Sequence, residues 1–521
     1  MAVPADVSES EENKTQESYL LSRWLFLRCL GLIHLVAFGS YAFQIIGLNG
    51  SHGILPSVDL LEQYRETGLS ALQCFMQCPT LLWINGTDAF LQGITVAGVI
   101  LSVFAVLGIA TAPCLLLLSV LWLSLVKGGC EFTGFQSDGM LVELTVLTLF
   151  LVPWQFFEPP WPVPARFRLQ TKPSMMALWL IRFMLFRIMF VSGLVKILSG
   201  DENWRNLTAM QYHYETQPIP TPLAWYAHHL PDWINKGSVL GMFVSEIFAP
   251  LCMFGPRVFK LLGAGMMALL HFFIALTGNY TFLSFLMITL CITLLDDELL
   301  EKVFPKRLTE SIRNSVDNRA AGIIREVPYK GAMSLCFAVA ISVFLGSLYG
   351  SQVFLLPLRP LIAIVSPFEL CNSYGLFAVM TTKRSEIVFQ GSNDGKIWLT
   401  YEFPNKPGDD LKQAPPWVAP HMPRLDWRLW FAAMVPLAEN PWIFSLVKQM
   451  LKGNLEVTKY FLVNPFPNTP PKYIRAFVYD YHFSTPEQKA ATGNWWWRDK
   501  QGVYLDPVVL NNGMVEPADL R

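Results

Sequence analysis

Charge is scarce in this chain. Lys, Arg, Asp and Glu make up 15% of its 521 residues, against about 25% in soluble proteins. That is too little to solvate the three or four water-exposed domains that the length alone would allow. Basic excess is missing too: the formal charge is −1, which excludes an electrostatic nucleic-acid binder. The chain also has no GxSxG elbow, phosphate-binding loop, GxGxxG fingerprint or HExxH metal pair. No cofactor or metal is implied by any motif of that kind.

Apolar residues are abundant. They form 52% of the chain, mean hydropathy is +0.36, and there are 37 Phe and 17 Trp. This composition is that of a polytopic membrane protein with aromatic belts. Runs of about 17–25 apolar residues mark crossings. The first, 24–47, follows an acidic tail (1–23) with Glu9, Glu11, Glu12 and Glu17 and reads as an uncleaved signal anchor. The block 90–126 is too long for one crossing and reads as a tight two-helix hairpin broken at Pro113. Runs 140–157, 175–198, 238–254, 258–277, 281–295 and 331–354 complete nine spans, so the chain ends are expected on opposite sides. The bundle therefore occupies 24–356, with large loops at 48–89 and 199–237.

Lys and Arg in the loops set the expected orientation. With the N-terminus in the cytosol, cytosolic segments hold fourteen basic residues, seven of them between Asp296 and Lys330. The opposite loops hold four: Arg65, Lys127, Arg205 and Lys236. The sequons at Asn85, Asn206 and Asn279 all fall on that poorly charged side and are candidate glycosylation sites. Asn13 heads a sequon in the cytosolic tail, and Asn49 lies close to the membrane.

Residues 357–521 differ in composition and read as a lumenal α+β, β-rich domain large enough for its own core. Segments 387–391 and 396–403 flank Ser392-Asn393-Asp394-Gly395, a hairpin signal. Residues 473–483 read as a long strand. Asn440-Pro441 opens a helix that Gly453 closes, with Trp442, Ile443, Leu446, Val447, Met450 and Leu451 as its apolar stripe.

Several groups could carry chemistry. Arg187 and Glu246 lie midway along adjacent spans and are expected to form an intramembrane pair, since an unpaired charge there is costly. Lys196 and Glu143 lie near span ends and read as snorkelling side chains, while His34 and His271 read as hydrogen-bonded core histidines. The loop 212–229 gathers His213, Glu215, His228 and His229, either an acid/base or metal site or a structural or partner-binding loop. Cys74, Cys78, Cys130 and Cys371 fall on the lumenal side, an even set that an oxidising compartment can pair. Cys74 and Cys78 have three residues between them, unlike a thioredoxin motif, which favours a structural or unpaired state. Arg424, Asp426 and Arg428, if extended, share one face. They form a structural clamp or the polar rim of a partner site, to which Trp417, Trp427, Trp430, Trp442, Trp495, Trp496 and Trp497 would add apolar contacts.

Certain longer strings resemble the lipase maturation factor family. They are FVSGLVK at 190–196, LTAMQYHYETQPIPTPLAWYAHHLP at 207–231, GNYTF at 278–282, LLDD at 294–297, NSYGLF at 372–377, PHMPRLDW at 420–427 and WWWR at 495–498. The resemblance runs nearly the whole chain. It implies a multi-pass protein of the endoplasmic reticulum that helps dimeric secreted lipases, such as lipoprotein lipase, to fold, assemble and leave. It also implies that the lumenal C-terminal domain engages these clients. The bundle is distantly similar to that of vitamin K-dependent carboxylase, which implies an alternative: a membrane-embedded enzyme acting at the loop 212–229.

Overall fold

The computed structural model describes residues 18–161, 172–316, 323–349, 357–370 and 372–520. The acidic tail with Asn13, and Cys371, lie outside them. Among the described residues, nine principal helices form the N-terminal part: α1 (Leu20–Ala42), α2 (Asp88–Leu107), α3 (Thr111–Gly128), α4 (Gln136–Thr148), α5 (Met175–Leu198), α6 (Asp232–Phe254), α7 (Arg257–Thr277), α8 (Leu283–Ile292) and α9 (Ile323–Tyr349). Seven of them, all but α4 and α8, are long and apolar enough to cross a bilayer.

The two exceptions correct the expected spans. At 1.5 Å per residue, α4 (13 residues) and α8 (10 residues) reach about 20 and 15 Å, short of a hydrocarbon core of about 30 Å. Apolar residues continue to Phe157, but the chain folds back there. Ala110 N–H donates to Phe156 O at 2.6 Å and Glu158 N–H to Gly108 O at 2.9 Å, so the segment after α4 seats on the α2–α3 turn. That turn lies at Gly108 (φ 76°) and Ala110, not at Pro113. Pro113 instead occupies the first turn of α3, where a missing N–H is harmless. In α6 a π-turn spans Val244–Phe248 ahead of Pro250, which has no N–H to return to the Glu246 carbonyl.

The bundle core joins Phe26, Leu30 and Phe38 of α1 to Trp122 of α3 and Leu141 and Leu144 of α4. A methyl at Gly98 would enter the Phe38 ring, so glycine is what lets α2 approach α1. Asp297 ties the start of α1 to the end of the bundle. Its carboxylate accepts from Ser18 Oγ at 2.6 Å, Leu20 N at 3.0 Å and Leu21 N at 2.8 Å.

The C-terminal part is a five-stranded antiparallel sheet in the order β2-β1-β3-β4-β5. The strands are β1 (Arg384–Ser392), β2 (Leu399–Thr400), β3 (Tyr473–Phe483), β4 (Trp496–Asn511) and β5 (Met514–Pro517). Two helices pack with it, α10 (Arg424–Ala432) and α11 (Trp442–Leu451). β3 has the expected bounds, and all six residues of the expected α11 stripe are buried. The 392–395 hairpin forms, with Gly395 at φ 71° and Asp394 accepting from Lys396 and Ile397 N–H at 2.8 Å each. Its second strand keeps only two residues.

Residues 424–432 are helical, not extended, with Pro423 at the N-cap. On a helix, residues two apart point roughly 200° from each other. Asp426 therefore faces away from Arg424 and Arg428, and the three share no face.

Candidate functional site at the junction of bundle and C-terminal domain

The polar residues singled out in the sequence converge on the seam between the bundle and the sheet. Arg424 crosses it: its guanidinium binds both oxygens of Asp138 (2.8 and 2.9 Å) and Phe132 O (2.7 Å), while Gln44 Oε1 accepts from its backbone N–H. Both side chains of this pair are essentially solvent-free. Arg428 reaches Glu131 beside it. Asp426 turns inward to Asn405 (3.1 Å), leaving Oδ1 buried without a partner. Burial pushes its carboxyl up to about 6, against the opposing effects of Asn405 and Lys406. The expected clamp of Asp426 between Arg424 and Arg428 does not form; Arg424 and Arg428 bind Asp138 and Glu131 of the bundle instead.

The loop between α5 and α6 forms the other half of the seam. Its short helix Met210–Thr216 places His213 and Glu215 on opposite sides. His213 goes down toward the bundle, within 3.2 Å of Tyr280 Oη. Burial and the charge of Lys196 hold it down to about 4, so it is neutral at physiological pH. Glu215 goes up to the sheet: Phe483 N–H donates to it at 3.0 Å, and His482 and His228 stand 3.5 and 3.9 Å away. Burial opposes ionisation of Glu215, yet the hydrogen bond from His482, His228 and the Phe483 N–H together bring it below the usual glutamate range. The same hydrogen bond raises His482. His229 binds Trp225 O at 2.7 Å within its own helix. The four loop residues therefore do not assemble into one site. Among the described residues no cluster of three His, Cys, Asp or Glu is placed to hold a metal.

Four further residues close the seam, and sequence reasoning overlooked Arg384 and Trp225 among them. Arg384 Nη1 donates to Glu215 O (2.7 Å) and Gln217 O, and its Nη2 to Pro218 O (3.0 Å) and Glu386 (2.8 Å). Trp225 Nε1 reaches Ser484 O, and Trp430 Nε1 reaches Thr216 O, each at 2.9 Å. Asn279 accepts from Val418 and Ala419 N–H (2.8 and 2.9 Å) and donates to Pro416 O (2.8 Å). It is thus buried and bonded at both ends of its amide, with no room for a glycan, whereas Asn85 and Asn206 are exposed.

The intramembrane pairing also differs from expectation. Arg187 binds Glu143, which Tyr374 Oη also contacts, and Glu246 binds Lys196 at 2.8 Å. Glu143 and Lys196 do not snorkel, because the 372–377 segment and the loop helices roof the span ends and exclude water. Of the tryptophans offered as partner contacts, Trp427, Trp430, Trp442 and Trp496 are buried. Trp495 packs on Trp225 and Tyr226, while Trp497 (43% exposed) and Trp417 (57%) face solvent. Cys74, Cys78 and Cys130 are free; the first two approach the carbonyls of Tyr64 and Lys127.

Comparison with known proteins follows the same division. Residues 21–302 match the model of the lipase maturation factor transmembrane domain, and 370–506 that of the lipase maturation factor C-terminal domain. The chain belongs to the lipase maturation factor family. It is 33% identical to lipase maturation factor 2 of Gallus gallus over 94% of this chain and 81% of that protein. It is 32% identical to lipase maturation factor 1 of Mus musculus over 97% of this chain and 90% of that protein. Lipase maturation factor 2 of Homo sapiens is 32% identical over 95% and 84%. No solved structure matches.

Proposed function

We propose that this chain is a non-enzymatic maturation factor of the endoplasmic reticulum membrane that holds secreted lipases while they fold, assemble into dimers and are exported. The observation that carries this reading is the reach of the likeness: both halves match proteins named for lipase maturation, over nearly the whole chain. In this reading the N-terminus is cytosolic and the C-terminal domain lumenal, supported by the fourteen-to-four bias of basic residues and by the exposed sequons at Asn85 and Asn206.

Clients then meet the C-terminal domain away from its sealed face. From 497 to 507 the outer edge of β4 has no strand partner among the described residues, and it carries exposed Trp497 (43%) and Val503 (58%). An open edge offers unpaired N–H and C=O groups, and exposed apolar side chains supply pockets for a partly folded chain.

The test is crosslinking capture in lipase-secreting cells that express the intact protein. Lipase should be recovered with the wild type and at least fivefold less with Trp497→Asp plus Val503→Asp, while protease resistance stays unchanged. Capture that is blank for the wild type overturns the function; equal capture by the variant overturns the surface.

A further inference from the structure

Two adjoining pockets lie at the seam, where α3 ends and α4 begins. The chambers, about 320 and 440 Å³, share Gly134, Phe135 and Gln136 in their walls. Both volumes fall within the usual range of small-ligand sites. The larger chamber is aromatic, built on Phe135, Tyr280, Phe377, Trp427, Trp430 and Phe431. Its walls also include Val379 and Met434, which are 65% and 41% exposed. Apolar surface of that kind at a cavity mouth marks an entry for apolar matter. The smaller chamber is polar, with Gln136, Ser373, Asn372 and the Lys127–Glu369 ion pair in its wall. Gly139 keeps it open, since a Cβ there would sit 2.8 Å from Glu369 Oε2.

The layout dictates the occupant. A peptide would bring an N–H and a C=O at every residue, more than the few polar groups among the aromatic rings, Ser137, Thr281, Thr381 and Arg428, can match. An acyl chain needs none. The aromatic chamber has the size for one chain, not the two of a bilayer phospholipid. Lys127 already pairs with Glu369, so a charged head would enter the polar chamber without a free counter-charge. An uncharged, hydroxylated head meets amide and hydroxyl groups there. Lys127 closes the last turn of the membrane helix α3 and Gln136 opens α4, so the chambers sit at the end of the bundle, where an amphiphile can arrive from the bilayer.

We propose that this cavity is a binding site for an uncharged single-chain membrane lipid of the monoacylglycerol class, with the chain among Phe135, Trp427 and Trp430 and the head between Gln136 and Ser373. The reading stands independently of lipase binding.

The intact protein in nanodiscs should be challenged with photoactivatable monoacylglycerol, oleate and lysophosphatidylcholine at equal mole fraction. Crosslinked peptides are then mapped by mass spectrometry. Monoacylglycerol should label 134–137, 376–381 or 427–434 at least fivefold more than the other two probes. Leu376→Trp, which fills the aromatic chamber, should abolish that labelling. Glu369→Gln leaves Lys127 without its partner and should move the preference toward oleate, a gain that misfolding cannot produce. Equal labelling by all three probes, labelling confined to the outer faces of α7 and α9, or an unchanged preference in Glu369→Gln would overturn the site.

Discussion

Arg187 and Lys196 stand on one helix, and each has its own carboxylate, Glu143 and Glu246. Removing one partner of a buried pair leaves an uncompensated charge, a loss of roughly 3–5 kcal/mol. Arg187→Ala should therefore couple strongly with Glu143→Gln in a double-mutant cycle of thermal stability and add independently with Glu246→Gln. Coupling to Glu246 instead would reverse the assignment. Asp426 obeys the opposite logic. Its folded carboxyl titrates near 6, above its unfolded value of 3.8, so the native state binds a proton more tightly and gains stability as pH falls from 7 toward 4. Asp426→Asn should be as stable as the wild type or more so at pH 7.5, and should lose the pH dependence over that interval. Unfolding midpoints measured across pH will show this. The sequence revealed that these charges needed partners but not which ones. Partner choice depends on what roofs the helix ends, and part of that roof comes from residues more than 170 positions further along the chain.

Periodic patterns specify whole elements well. α11 was legible because one face is buried against a single core, so its apolar period is uninterrupted, and β3 because it is long and rich in aromatic residues. α10 was not, since Arg424 and Asp426 are buried in it and conceal the helical stripe. The lengths of α4 and α8 were also hidden, because their flanking residues stay apolar where the chain turns inside the protein. Among the loops, glycosylation should distinguish buried from exposed sequons. Asn85→Gln with Asn206→Gln should abolish the endoglycosidase shift, and Asn279→Gln should leave it unchanged; a glycan on Asn13 would overturn the orientation. Asn279→Ala leaves the Val418 and Ala419 N–H groups without their acceptor. At about 1–3 kcal/mol for a buried unsatisfied group, it should lower stability by at least about 2 kcal/mol in thermal unfolding.

At the scale of the molecule, four of the strings that carried the family resemblance meet along one seam. Glu215, Asn279, Tyr374 and Arg424 lie in four separate strings, and each binds across it. The resemblance located the candidate site, then, without disclosing that the site faces inward. Arg424→Ala should loosen this seam. Limited proteolysis should cut the C-terminal part at least several-fold faster, and the Asp138→Asn, Arg424→Met double variant should recover most of the loss. The Arg424–Asp138 bridge also spans 286 positions of sequence. During synthesis α4 leaves the ribosome long before Arg424 does, and until then Asp138 has no cation across the seam. The bundle thus stays unfinished for as long as translation of the remaining chain takes. A chain that stops short of Arg424 leaves a bare carboxylate in the first turn of α4, beside a seam that it cannot close.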